Sequence, residues 1–170
     1  MNPKFPLSLN DMLVHSSEHL YQCMRFSEHS DIQQKILAEK WPMKCKFIAK
    51  EHINKTRNDW NEVKLPIMSW VVALKTSQHF TTLKPRLLED YGKRIVEYSK
   101  KDDYWGAVNN GNGVLIGHNY LGRIWTRVST LIATKNASHI HSLAIAPKLE
   151  LKLLGEQPLT PTTIPPETTK

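Results

Sequence analysis

Ser16-Ser17-Glu18-His19-Leu20-Tyr21-Gln22-Cys23-Met24-Arg25-Phe26 is the stretch whose reading decides the fold class. Leu20, Cys23 and Met24 recur at helical spacing behind two serines, and a serine placed there accepts from the free N–H groups of a first turn. Glu18 then lies in that turn, at the positive end of the helix. Outward from this segment the 3.6-residue pattern returns. Asp31 with Gln34 has the form of a capping box ahead of Ile32, Ile36 and Leu37, and Pro42 closes that segment or opens the next. A longer helix is expected from Asn58 or Asp59 toward Leu74 on Val63, Ile67, Trp70, Val71 and Leu74, broken at Pro66. Thr81 or Thr82 is the expected cap of a short helix with Pro85 in its first turn and Gly92 at its left-handed end. Asn119 is the expected cap of the last clear helix, whose apolar stripe is Leu121, Ile124, Val128 and Ile132.

The remaining segments add little regular structure. Ile95-Val96-Glu97-Tyr98 is the best strand candidate, and Leu149, Leu151 and Leu153 alternate as an edge strand does. Between Asp102 and Gly122 lie five of the seven glycines, with Asn109, Asn110, Asn112 and Asn119, the chemistry of a ligand-facing loop. Pro158, Pro161, Pro165 and Pro166 among threonines predict disorder over residues 156–170. The expected architecture is mainly α with one or two short β-strands, a single compact domain packed around Trp70, Val71, Leu74, Ile124 and Val128. Its boundaries are a domain over residues 1–135 and a C-terminal extension over residues 136–170.

The chain has 170 residues, 40% of them hydrophobic and 23% charged, a globular balance of ordinary single-domain size. No apolar run approaches the roughly 20 residues that span a bilayer, and the first residues lack a signal peptide's apolar core. Two cysteines, Cys23 and Cys45, make no disulfide framework and are read as reduced thiols, so a cytoplasmic protein without a membrane partner is expected. The net charge of +7 is uneven. Lys35, Lys40, Lys44, Lys46, Lys50, Lys55 and Arg57 face only Glu39, Glu51 and Asp59, which makes that segment either an attractor for phosphate-bearing partners or a solvated helical face.

Several patterns carry no assignment. Gly111-Asn112-Gly113 and Gly117 lack the spacing and flanking elements of a dinucleotide fingerprint. His15 with His19, and His139 with His141, have no companion ligands, so no metal and no cofactor is expected. The sequons at Asn54 and Asn136 matter only in a secreted chain. What remains is Glu18 at a helix start, Asp102-Asp103 before Tyr104-Trp105-Gly106, and Trp60 among polar residues. Cleavage of a glycosidic bond needs such parts: one carboxylate to activate water or stabilise an oxocarbenium-like centre, a second to assist the leaving group, and an aromatic plate for the base. The same residues also suit a helix dipole and a packed core.

The order of the pieces resembles the NADAR family of YbiA-like N-glycosidases. Ser17 to Phe26 is similar to its S/T-x-E-H-x-Y-Q-A-x-K-F helix. Arg57 to Lys64 with Met68 is similar to R-x-D-W-x-x-V-K-x-x-V-M, and Lys75 to Leu88 to K-F-x-Q-x-x-x-L-x-x-x-L-L. Ile95 to Gly106 resembles L-V-E-x-S-x-x-D-x-x-W-G, and Asn119 to Gly122 matches N-x-L-G. The likeness covers about residues 5 to 133. It implies a hydrolase with Glu18, Trp60 and Asp102 as catalytic residues, and His19, Tyr21, Gln22, Lys50, Arg57, Trp105, Gly106 and Asn119 against the substrate. The substrates implied are phosphorylated aminouracil ribosides of riboflavin biosynthesis, or ADP-ribose attached to guanine in nucleic acid, with no cofactor.

The sequence departs from the pattern in three places. The family's segment ending in an F-S-N-F-like motif, ahead of the counterpart of Phe5-Pro6, is not found here, which is expected to remove a strand or pocket wall. Ala49-Lys50 replaces a Gly-Arg pair, keeping charge without the arginine fork. Ala107-Val108-Asn109-Asn110 and extra residues before Asn119 alter the loop that would set substrate preference. The alternative reading is therefore a nucleotide- or ADP-ribose-binding module without turnover. A basic nucleic-acid-binding protein without chemistry would need a reading helix or an aromatic RNA platform, and the sequence shows neither.

Overall fold

The computed structural model describes residues 5–135, 137–157 and 159–162. Among them are seven α-helices and two antiparallel strand pairs, the mainly α architecture expected. The residues group into two units, one of residues 5–79 with 141–162 and one of residues 80–140.

The first unit opens with a hairpin of β1 (Leu7–Leu9) and β2 (Met12–Val14), a pairing that periodicity did not predict. Asn10 and Asp11 at its tip both have positive φ, the twist a two-residue hairpin turn needs. Then follow α1 (Ser17–Met24), α2 (Ser30–Ala38), α3 (Pro42–Glu51), a 3-10 turn (Ile53–Lys55) and α4 (Trp60–Gln78). Helix α1 packs on α2, α3 and α4, so Leu20, Cys23 and Met24 are fully buried, as are Ile36, Ile67 and Leu74.

Two expectations fail in this unit. Asp31 and Gln34 do not form a capping box: α2 begins two residues earlier, with His29 at the cap and no side-chain bond there. Helix α4 runs unbroken through Pro66. Pro66 and Glu62, whose carbonyl loses its amide partner, lie on the exposed face where water serves instead, while Val63, Ile67, Trp70, Val71 and Leu74 bury one continuous stripe.

The end of the chain is also more ordered than its composition suggests. Leu159 is buried, and residues 160–162 pair with β1 through Asn10 N to Thr160 O and Thr162 N to Ser8 O, at 2.9 and 3.1 Å. Gln78 donates to the carbonyls of both Ser8 and Thr162. The expected disorder is thereby corrected over residues 159–162, because β1 offers an open edge; residue 158 and residues 163–170 lie outside the described residues. Leu151 and Leu153 are buried without forming a strand. Gln33 holds that segment, donating to Cys23 O and Lys152 O and accepting from Leu154 N.

The second unit has α5 (Phe80–Glu89), a hairpin of β3 (Val108–Asn109) and β4 (Leu115–Ile116), and α6 (Tyr120–Thr134); α7 (Ala137–Leu143) crosses the boundary between the units. Leu87, Val128 and Ile132 are its apolar core, and Ser129 Oγ donates to Leu87 O at 2.7 Å between α5 and α6. Ile124 is only half-buried. Thr81 and Thr82 lie inside α5 rather than capping it, since the helix starts at Phe80. Residues 95–98 form no strand beyond a single bridge from Tyr98 to Ala107, because side chains of α6 and its cap satisfy this backbone instead. Among the described residues no helix is long and apolar enough to cross a membrane.

Candidate active site

In the first unit Glu18 stands in the first turn of α1, behind Ser16, whose hydroxyl accepts from His19 N. Its Oε1 accepts from Gln22 Nε2 at 2.8 Å, one turn on, and its Oε2 faces Lys46 Nζ of α3 at 3.6 Å. Gln22 Oε1 is buried with no hydrogen-bond partner among the described residues. That leaves an acceptor beside the carboxylate which a donor on a ligand would satisfy, removing a penalty of about 1–3 kcal/mol.

His19 is fully buried: Ser16 Oγ lies 2.7 Å from Nδ1 and Glu39 O 2.9 Å from Nε2. Both ring nitrogens are thus engaged within the protein, tying α1 to the end of α2. Burial holds the imidazole below its usual pKa, ahead of the opposing Glu39 carbonyl.

Trp60 begins α4 and lies tilted against Tyr21, ring centroids 5.1 Å apart. The Arg25 guanidinium sits 5.6 Å from the Trp60 ring and donates to Thr56 Oγ1 at 2.8 Å. Burial lowers the Arg25 pKa, from a value so high that the group stays charged. Arg57 grips Asp59 with both arms of its fork and donates to Leu149 O at 2.9 Å, so it acts as a strut for the turn that launches α4. The Arg57 fork holds Asp59 below the usual carboxylate range. A cleft of about 450 Å³ in this unit is lined by Arg25, His29, Lys55, Arg57 and Asp59 among others. Glu18 and Trp60 are not on its wall, but Arg25 joins it to the Trp60 ring. Lys50 is exposed on α3.

In the second unit Asp102 lies on a loop tied together by backbone. Ser99 Oγ accepts from Asp102 N at 2.9 Å, and Asp102 Oδ1 accepts from Tyr104 N and Trp105 N at 3.1 and 2.9 Å. One carboxylate oxygen is thus committed to the turn, leaving Oδ2 with no hydrogen-bond partner among the described residues. Asn119 stands at the N-cap of α6 as expected, but its side chain makes no cap bond there. In a left-handed conformation, its amide instead accepts from Glu97 N and donates to Ile95 O, both at 2.9 Å. A Cβ at Gly122 would strike that amide and Ile95 O, and one at Gly106 would strike Glu97 O. The W-G and N-x-L-G patterns are therefore the two clasps of segment 95–99.

The structure thus gathers Glu18, Tyr21, Gln22 and Trp60 in one unit and Asp102, Trp105, Gly106 and Asn119 in the other. Sequence reasoning passed over Arg25, though it stands inside the first motif block, and placed Lys46 in the basic segment without linking it to Glu18. A family model for the NADAR domain matches residues 2–133. The chain belongs to the NADAR domain family. Among its relatives, a riboflavin biosynthesis protein of Vibrio vulnificus is 32% identical over 109 residues, covering 64% of this chain and 28% of that protein. The N-glycosidase YbiA of Escherichia coli is 26% identical over 109 residues, 64% of this chain and 67% of YbiA. The chain thus spans about a quarter of the Vibrio relative and about two thirds of YbiA. The NMR structure of the E. coli protein YbiA superposes with a TM-score of 0.64 at 25% identity, covering 76% of this chain and 73% of that one.

Proposed function

We propose that this NADAR chain hydrolyses an N-glycosidic bond in a phosphorylated nucleoside-like substrate. The observation that carries the reading is the cluster in the first unit. A helix-held carboxylate, Glu18, has a lysine at one oxygen and an unsatisfied amide acceptor beside it. In the same unit, the Trp60 ring is backed by Tyr21 and Arg25. In the reaction the C1′–N bond breaks with its electron pair leaving on the base, water forms the new C1′–O bond, and the water's proton passes by way of a carboxylate to the departing nitrogen. Glu18 is one such carboxylate, and the family resemblance adds Asp102 through its uncommitted Oδ2. Trp60 stacks on the base, and Arg25 with Lys55, the cations of the neighbouring cleft besides the Asp59-bound Arg57, takes the phosphate. His19 acts by positioning α1.

The substrates proposed are phosphorylated aminouracil ribosides and ADP-ribosyl-guanine in nucleic acid; the first accords with relatives named for riboflavin biosynthesis. The test incubates the chain with each and follows products by mass spectrometry. Release of ribose phosphate or of ADP-ribose identifies the substrate class. Saturable binding of both without release would instead establish the non-catalytic binding module.

A further inference from the structure

The second unit holds a cleft of about 740 Å³ entirely of its own, and Glu18, Trp60 and Asp102 do not line it. Among the described residues its walls carry three cations, Lys93, Arg94 and Arg123, together with His118 and no carboxylate. Among the described residues none of the three cations has an acidic partner within ion-pair distance. The other polar side chains of the wall are already in use. Thr126 Oγ1 accepts from Ile95 N and donates to Gly122 O, and the Asn119 amide clasps residues 95 and 97.

Two features suit this cleft to an anion rather than to water alone. Arg123 is held in place, its guanidinium 5.6 Å from the Tyr120 ring, while Tyr120 stacks on His118 at 5.4 Å with planes 9° apart. Gly117 lines the cleft with bare backbone, since a Cβ there would collide with the carbonyls of Gly106 and Asp103. Like charges gathered around a concavity repel unless an anion sits among them, and arginine forks match phosphate oxygens two at a time.

We propose that this cleft is a binding site for a phosphate-bearing ligand, held by Arg94 and Arg123 with Lys93 at the rim. The proposal does not rest on the glycosidase reading, with which the cleft shares Asn119 alone, a residue whose amide is already bonded to residues 95 and 97. Its chemistry can come from a small phosphorylated molecule or from the backbone of a single nucleic-acid strand, and the two differ in their response to salt.

The test titrates the full chain with sodium pyrophosphate by calorimetry and with a short fluorescein-labelled single-stranded DNA by anisotropy. The variants are Arg94→Ala/Arg123→Ala and, as a charge-matched control away from the cleft, Arg127→Ala/Lys135→Ala. The cleft pair is expected to weaken binding about tenfold or more and the control pair about twofold or less. Circular dichroism checks that each is folded; should the alanine pair fail that check, Arg94→Lys/Arg123→Lys is read in its place, with a weakening of about threefold expected from the lost forks. Pyrophosphate bound as tightly as DNA assigns the site to a small ligand. Tighter DNA binding that falls steeply with salt assigns it to a strand. Equal losses in the cleft and control pairs, or no binding of either ligand by the parent, would overturn the proposal.

Discussion

Glu18 and Asp102 are carboxylates fixed by opposite means. Around Glu18 the backbone is helical and self-sufficient, so side chains do the tuning: Gln22 and Lys46 touch the carboxylate, and Ser16 and His19 anchor the helix beneath it. Around Asp102 there is no helix, and the carboxylate itself closes the turn that carries it. That loop is held by glycines too close to neighbouring carbonyls to bear a side chain, and by one asparagine amide. A helix-mounted group tolerates loss of a neighbour with local effects. A loop-mounted group is only as well placed as its clasps, so changes remote from it should be felt at its carboxylate.

The largest expected effect that separates the two regions is chemical. Asp102→Asn keeps the turn, because an amide oxygen still accepts from Tyr104 and Trp105, yet removes the charge. We expect product release to fall about a hundredfold or more, with thermal stability nearly unchanged; an asparagine variant as active as the parent would remove Asp102 from the mechanism. Next comes Gly122→Ala, which drives a Cβ into the Asn119 amide and Ile95 O. A loss of about 2–3 kcal/mol is expected for a clash with backbone, read as a lower midpoint in thermal or urea unfolding.

Two serines give a matched and smaller contrast. Ser16→Ala removes the cap of α1 and should cost about 1 kcal/mol of stability with little change in turnover. Ser99→Ala frees the Asp102 amide and should lower kcat about tenfold at constant KM, with the smaller stability loss. If both serines affect only stability, the loop region is as robust as the helix and the contrast fails.

The smallest effect is a pH dependence. His19 is held below its unfolded pKa by burial, so the folded chain binds fewer protons than the unfolded one. Its contribution to stability is full above the unfolded value of about 6.5 and is lost as pH falls below it toward the lowered folded value. Unfolding midpoints measured between neutral and mildly acidic pH should therefore decline, and His19→Gln should flatten that decline. The thiols offer a parallel check: burial pushes Cys45 up to about 12 and Cys23 higher still, so neither should react with a thiol reagent until the chain unfolds.

What could be read ahead of the structure was whatever repeats along a helix. The stripe of Val63, Ile67, Trp70 and Leu74, the serine cap before Glu18 and the opening of α3 at Pro42 all follow from local rules. Pro66 misled because tertiary burial on one face of α4 outweighed one missing bond on the other. The hairpin at residues 7–14 escaped because three-residue strands carry almost no period, although Asn10-Asp11 was a usable turn signal. Asn119 shows the deeper limit. Local rules make it a cap, and only the fold reveals that Ile95 and Glu97 claim its amide. The same holds for Lys46, which no pattern linked to Glu18, and for the cleft of Lys93, Arg94 and Arg123, residues from segments far apart in the sequence.

The most direct test of the central claim compares the parent chain with Glu18→Gln on whichever phosphorylated riboside the parent cleaves, measuring binding and release together. The account predicts that the variant binds within about twofold of the parent, since the amide keeps the Gln22 contact, and releases product at least about a hundredfold more slowly. Release at the parent's rate by Glu18→Gln would contradict it.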